Sequence, residues 1–95
     1  MKRIKLDGKK MTDRKTAHEY IASKLSFPDY YGKNLDALAD CLSEIGEDTQ
    51  IKLINADVFI NNLAPQHKGF IKVFTDIAKS NPHLIFKTDI ELEID

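Results

Sequence analysis

Three strand-like segments separated by stretches of helical periodicity constrain the fold of this chain more than any other feature. Residues 2–6 (KRIKL) alternate charged and apolar side chains, and residues 50–55 (QIKLIN) and 83–90 (HLIFKTDI) are also predicted to be strands. Parallel neighbours need long crossover connections, and helical segments supply them here. The sequence therefore predicts an α/β fold, a three-stranded parallel sheet with about four helices that cover one face better than the other.

The predicted helices occupy the connections between these strands. Each has apolar residues at intervals of three and four, which places them on one face, and each has polar or turn-forming residues at its ends. The expected bounds are Thr12 as N-cap to about Leu25, Asn34 as N-cap to Gly46, Asp57 as N-cap to Pro65, and residues 66–80.

Length and composition indicate one small domain. A chain of 95 residues forms one core, so residues 1–95 are taken as a single domain. No apolar run approaches the roughly 18 residues of a membrane span. Residues 1–10 are basic but lack the apolar stretch of a signal peptide, so we expect a cytoplasmic protein. The single cysteine, Cys41, cannot form an internal disulfide, which agrees with a reducing compartment.

Charge is distributed unevenly, although the net charge is only −1. Residues 1–24 contain eight Lys/Arg and three Asp/Glu, whereas residues 29–48 contain six Asp/Glu and a single basic residue, Lys33. A concentrated negative segment attracts basic partners and repels nucleic acid.

The second predicted helix carries an acidic ridge formed by Asp36, Asp40 and Glu44. These residues are four apart, so they share a face, and they lie almost opposite the apolar stripe of the same helix. Like charges at this spacing each cost a helix roughly 0.2–0.5 kcal/mol. Glu44 also lies in the last turn, where the helix dipole disfavours negative charge.

Three interpretations of the acidic ridge are open. It could be an ordinary solvated helix face, which is what a run of charge usually is. Asp36 and Asp40 could bind a divalent cation, although hard cations usually need more oxygen ligands than two side chains supply. It could also dock a basic protein, and here the flanking residues Tyr30 and Tyr31 matter, because tyrosine supplies rigid contact area with a polar tip.

Other sequence features give no catalytic pattern. The three histidines, His18, His67 and His83, have no metal-ligand spacing and are expected to be surface or half-buried residues. Cys41 flanks an apolar stripe and is expected to be structural. The basic segment 2–15 could bind nucleic acid, but a solvated face is the simpler interpretation because its lysines are interleaved with strand and turn residues.

The stretch YYGKNLDALADCL, residues 30–42, preceded by FPD, resembles the loop and second helix of the barstar family of ribonuclease inhibitors. The order of predicted elements along the whole chain also resembles that family, which implies a three-stranded parallel sheet with helices. In the family this loop and helix plug a ribonuclease active site, and their carboxylates stand in for RNA phosphates. The segment VFTDIAK, residues 73–79, resembles the family's fourth helix. The partner-binding positions that the resemblance implies are Tyr30, Gly32, Asn34, Leu35, Asp36, Asp40 and Asp76, and Glu44 joins them as part of the acidic ridge.

The resemblance implies a protein that is not an enzyme and that blocks the active site of a cytotoxic, barnase-like ribonuclease through the acidic helix and the adjoining Tyr loop. The expected partner is a basic ribonuclease of extracellular type or a toxin nuclease, with no nucleic acid, membrane, cofactor or metal, and the free protein is expected to be a monomer. One alternative is the same fold acting as an immunity or binding protein directed at another basic toxin or protein. A third, from a different class, is a metal-dependent hydrolase using Asp36 and Asp40.

Overall fold

The computed structural model describes residues 1–90, and they form a three-stranded parallel sheet with four α-helices. Strands β1, β2 and β3 lie in that order across the sheet, and both neighbouring pairs are parallel, as predicted. A 3₁₀ turn, Gly8–Lys10, follows β1. The strands are β1 (Lys2–Asp7), β2 (Thr49–Ile54) and β3 (Leu84–Thr88), and the helices are α1 (Arg14–Leu25), α2 (Leu35–Ser43), α3 (Ala56–Leu63) and α4 (His67–Ser80).

Several helix ends differ from the predicted ones. The side chain of Asp13, not Thr12, caps α1 by accepting a hydrogen bond from the backbone of Thr16. The predicted cap of α2 is confirmed, because Asn34 Oδ1 accepts from the backbone of Ala37 at 2.8 Å. That helix ends at Ser43 rather than near Gly46.

The third helix also begins earlier than predicted. It starts at Ala56, after Asn55 in a left-handed conformation with φ of 52°, and Asp57 lies in its first turn rather than at its cap. The sequence of residues 91–95 (ELEID) alternates charged and apolar residues and could continue the last strand, but it lies outside the described residues.

The helices pack on one face of the sheet and leave the other open. Alternate strand residues, among them Leu6, Ile51 and Leu84, are buried on the helical side. Phe74 of α4 stacks on Phe86 of β3 with ring centroids 4.9 Å apart. The side chains between these buried strand positions are exposed or half-buried. The core is therefore a single layer between helices and sheet, as the expected poor coverage of one face implies.

The carboxyl edge of the sheet is held by a network around Asn55, the residue that joins β2 to α3. Asn55 Nδ2 donates to Asp7 Oδ1 at 2.9 Å, and its backbone N–H donates to Asp89 Oδ2 at 2.7 Å. Gly8 passes so close that a Cβ there would overlap the carbonyl oxygen of Asn55. These contacts fix the start of α3 against the ends of β1 and β3.

None of the helices in residues 1–90 combines the length and the apolar content that spanning a membrane requires.

Candidate protein-binding face

The acidic ridge lies on the exposed side of α2, as its sequence spacing predicted. Asp36, Asp40 and Glu44 are all exposed, while Leu38 and Leu42 on the opposite side are fully buried. Asp36 lies in the first turn, where the helix dipole favours a carboxylate, and Glu44 is the C-cap residue, where the dipole opposes one. Within residues 1–90, no ion pair includes any of the three carboxylates. The ridge therefore presents unneutralised negative charge to solvent.

The loop before α2 holds its two tyrosines in opposite directions. Tyr30 is 80% exposed, whereas Tyr31 is only 8% exposed and lies in the core. The hydroxyl of Tyr31 is 2.7 Å from Nδ1 of His18, and its ring lies 5.0 Å from that of Phe27. Tyr31 thus ties the loop to α1, whereas Tyr30 of the same loop is exposed to solvent.

His18 is a residue that the sequence analysis placed wrongly, since it is fully buried rather than at the surface or half-buried. Its ring packs 4.7 Å from that of Phe70, and its Nε2 has no hydrogen-bond partner within residues 1–90. Burial, with a smaller effect of the Arg14 cation, lowers the pKa of His18 from 6.5 to about 4. Burial also raises the pKa of Tyr31 to about 12, with a smaller effect of Cys41. Both partners of this hydrogen bond are therefore neutral near pH 7.

A signal for this burial exists in the sequence. His18 follows Ala17 directly and precedes Ile21 by three residues, and both of those are buried on α1. A polar residue on the apolar side of a helix usually has a buried partner, which here is supplied by Tyr31, 13 residues away in the chain. That partner could not be identified from helical spacing.

The turn into α2 is shaped by Gly32, Lys33 and Asn34. Asn34 Nδ2 donates to the carbonyl oxygen of Gly32 at 3.3 Å, and Lys33 has a left-handed backbone with φ of 53°. Lys33 Nζ lies 3.2 Å from Glu19 Oε2 of α1. The basic residue closest to the acidic ridge in sequence is therefore paired with α1 and not with the ridge.

The fourth helix lies alongside α2 and runs parallel to it. Leu35 at the start of α2 packs over Gly69 near the start of α4, where an added Cβ would come within 2.7 Å of the Leu35 side chain. At the other end, Asn81 Nδ2 donates to the carbonyl oxygens of Leu42 and Ile45, at 3.0 Å each. The two helices are thus fastened at both ends.

Asp76 is an exposed residue of α4, the helix that lies alongside α2. Its Oδ2 lies 3.1 Å from Lys72 Nζ, and both side chains are more than half exposed. Exposed pairs of this kind contribute little, typically below about 1 kcal/mol, so a partner cation can replace Lys72 at small cost. Asp76 differs from the acidic ridge in carrying its own counter-ion.

The reactivity of the Cys41 thiol and the clustering of possible metal ligands indicate what chemistry the described residues can support. Burial raises the pKa of the Cys41 thiol, and the carboxylates of Glu44 and Asp40 raise it further, so the thiol stays protonated near neutral pH. In the portion of the chain that the structure describes, no three His, Cys, Asp or Glu side chains come together to hold a metal ion. The main chemical feature of this face is the negative charge of the exposed acidic ridge.

Comparison with known proteins gives a family for the whole fold. The pattern that describes the family "Barstar (barnase inhibitor)" matches residues 1–91. A curated relative from Bacillus subtilis (strain 168), named "Putative ribonuclease inhibitor YrdF", is 49% identical over 43 residues. That match covers 45% of this chain and 47% of the relative, so it spans about half the length of the relative. Because the family pattern covers nearly all of the chain, this protein belongs to the barstar family.

Proposed function

We propose that this protein is a non-enzymatic inhibitor that occupies the active site of a basic, barnase-like ribonuclease with its acidic ridge and the adjoining Tyr30 loop. The observation that carries the proposal is the exposed set of carboxylates Asp36, Asp40 and Glu44 on α2, none of which is in an ion pair within residues 1–90. Membership of the barstar family and the name of the Bacillus subtilis relative both support ribonuclease inhibition.

The proposal explains why α2 keeps charges that disfavour it as an isolated helix. A ribonuclease cleft that grips phosphates must be cationic, and a helix carrying carboxylates can occupy it without being cleaved. Complementary charge accelerates the encounter, and its effect falls as salt rises. The buried tie between Tyr31 and His18 holds the loop in place before binding, which reduces the entropy lost when Tyr30 makes contact.

The expected contact residues are those predicted from the sequence, with Asp40 at the centre. Asp40 has one carboxylate a turn before it and another a turn after it, so it is the member most completely removed from water on binding. Gly32, Asn34 and Leu35 would contribute through the shape of the loop and the first turn, and Asp76 through an exchange of its Lys72 partner.

The alternative proposal is an immunity protein of the same fold directed against another basic toxin. The same ridge would carry the interaction, because any cationic cleft of suitable width complements it. Inhibition assays against a barnase-like enzyme and a panel of toxin nucleases, with binding to non-nuclease basic toxins measured in parallel, separate the two.

The test is the Asp40→Ala variant, with Asp57→Ala as the matched control that removes one exposed carboxylate from a different helix. Loss of a charge that binding buries typically costs about 2–5 kcal/mol, as measurements on charged interfaces, including those of this family, show. We therefore expect Asp40→Ala to weaken inhibition at least thirtyfold, mainly through faster dissociation, while Asp57→Ala inhibits like the parent. Asp40→Ala should be as stable as the parent or slightly more so, because a like-charge repulsion is removed.

Equal inhibition by the Asp40→Ala variant and the parent, measured against every enzyme that the parent inhibits, would show that the acidic ridge is only a solvated face.

A further inference from the structure

The open face of the sheet carries a lysine row formed by Lys5, Lys52 and Lys87. The strand register pairs Lys5 with Lys52 and Lys52 with Lys87, so the three residues lie on one line across β1, β2 and β3. Neighbouring strands are about 4.8 Å apart, and the row therefore spans roughly 10 Å between its outer Cα atoms. The positions that flank the row are buried on β1 and β2 and half-buried on β3, which places the lysines on the side that carries no helix.

Within residues 1–90, the charges around the lysine row do not neutralise it. Arg3 lies two residues before Lys5, on the same face of β1. It is in register with Gln50 of β2, which is in register with Ile85 of β3, and neither of these residues is charged. Asp7 lies two residues after Lys5, but its carboxylate accepts hydrogen bonds from Asn55 Nδ2 and the backbone of Lys9.

Asp89 lies two residues after Lys87, just beyond the end of β3, and its carboxylate accepts hydrogen bonds from the backbone N–H groups of Asn55 and Ala56. Within residues 1–90, no ion pair includes a residue of the lysine row.

Such an arrangement costs stability in the isolated protein. Like charges directly opposite on neighbouring strands are destabilising, whereas opposite charges in the same positions contribute favourably. Lysines on the outer strands discourage edge-to-edge aggregation, but Lys52 lies on the central strand, where that explanation does not apply. A bound anion would offset the repulsion along the row.

From the sequence alone, the basic segment 2–15 is compatible with nucleic-acid binding but is more simply a solvated face. The structure shows that the residues of the candidate anion-binding site are not those of one continuous basic segment. Only Arg3 and Lys5 of that segment belong to it, and the other two cations come from strands far away in the chain.

We propose that the lysine row, together with Arg3, binds the phosphodiester backbone of single-stranded RNA without reading its sequence. A row of cations in register across one face of the sheet complements a chain of regularly spaced negative charges. The remaining side chains on this part of the face, Gln50 and Ile85, include no aromatic ring on which a base could stack, so backbone charge supplies the affinity.

The choice of RNA over other anionic polymers rests on the proposed function, because RNA is what the target enzyme would encounter. An anionic lipid surface fits less well, since the apolar residue best placed to insert, Ile85, is only 38% exposed. The acidic ridge and the lysine row lie on opposite sides of the sheet, so RNA and a ribonuclease can be bound together. This inference departs from the expectation that the protein has no nucleic-acid partner.

The experiment is fluorescence anisotropy of a labelled 12-nucleotide oligouridylate titrated with the full chain at several salt concentrations. Sequence-independent binding through three or four phosphates predicts a Kd of roughly 10⁻⁴–10⁻⁶ M and a slope of log K against log salt of about −2 to −3. The Lys5→Gln, Lys52→Gln, Lys87→Gln triple variant should bind about tenfold or more weakly, with a slope near zero. Lys52→Gln alone should weaken binding about two- to threefold and serves if the triple variant does not fold.

The matched control changes the same number of exposed lysines elsewhere, as Lys24→Gln, Lys68→Gln, Lys79→Gln. It should bind the oligonucleotide like the parent. A control that loses as much affinity as the row variant, or a parent that shows no salt-dependent binding, would overturn the inference. So would tighter binding to an equivalent DNA strand, or row-dependent binding to phosphatidylserine vesicles with no binding to RNA.

Ribonuclease inhibition separates this inference from the proposed function. The row variant should inhibit as well as the parent, because the acidic ridge is untouched. A parent that inhibits no ribonuclease but binds RNA through the row would refute the proposed function and support this inference. A parent that inhibits a ribonuclease but does not bind RNA would support the proposed function and refute this inference.

Discussion

Acid should destabilise this protein in a pH range that belongs to one buried histidine. His18 is neutral in the folded state down to a pKa of about 4, whereas in the unfolded chain it takes up a proton near pH 6.5. Between those values the unfolded state binds a proton that the folded state does not, so the free energy of unfolding decreases as the pH falls. The stability associated with neutral His18 is complete above pH 6.5 and lost by about pH 4.

The size of this effect follows from the two pKa values. A difference from 6.5 to about 4 corresponds to roughly 3 kcal/mol, lost at no more than about 1.4 kcal/mol per pH unit. That is a large share of the 5–15 kcal/mol typical of a folded domain. Hydrogen bonds lower the pKa of Asp7 and of Asp13 from 3.8, so their contributions are lost only at still lower pH. The two ranges can therefore be distinguished.

The measurement is a series of urea unfolding curves from pH 7.5 to pH 4.5. The parent should lose most of the roughly 3 kcal/mol over this range, and the His18→Gln variant, which has no proton to take up at this position, should lose much less. NMR titration of the His18 ring in the folded parent provides a direct check. A parent stability that stays constant to within about 0.5 kcal/mol, or a His18 ring that titrates near pH 6.5 in the folded state, would refute this account.

Three further predictions test other parts of the structure. Tyr30→Ala should weaken ribonuclease binding with little change in the urea midpoint of unfolding. Tyr31→Ala should instead destabilise the protein by about 3–5 kcal/mol, because it empties a core position. The opposite pattern would mean that the loop faces the other way. Cys41→Ala should lower stability by about 1 kcal/mol and leave inhibition unchanged, since the thiol is half-buried and protonated; a folded variant without inhibition would contradict a structural role. Gly8→Ala should destabilise by about 1–3 kcal/mol or more, because its Cβ would overlap the backbone of Asn55, while Gly46→Ala, where the added carbon meets nothing within 4 Å, serves as the control in the same thermal unfolding assay.

The architecture was predictable because each element carries its own periodic signal. The alternation in residues 2–6 and the apolar stripe of α2 depend only on neighbours a few positions away, and both lie as expected. The ends of elements were less accurate. Thr12 and Asp13 are both good caps, and helical spacing does not decide which side chain reaches the backbone of Thr16.

Features that depend on distant pairings were not predictable from spacing. The burial of His18 requires a tyrosine from the loop before α2, and the lysine row requires the register of three separate strands. The acidic ridge could be predicted because all of its members belong to one helix. That none of its carboxylates is in an ion pair within residues 1–90 is a tertiary property, since Lys33, the nearest basic residue in sequence, pairs with Glu19 of α1.

The double hydrogen bond from Asn81 to the end of α2 has a consequence for selectivity among targets. A helix C-terminus is often satisfied by a lysine or arginine, which would place a cation beside Glu44. Asn81 satisfies the carbonyl groups of Leu42 and Ile45 without adding charge, and it joins α2 to the helix that carries Asp76. A partner that contacted both helices would therefore meet the carboxylates of the acidic ridge and of Asp76 at a fixed separation. Enzymes whose cationic groups match that separation would be bound, and equally basic enzymes with a different separation would be rejected.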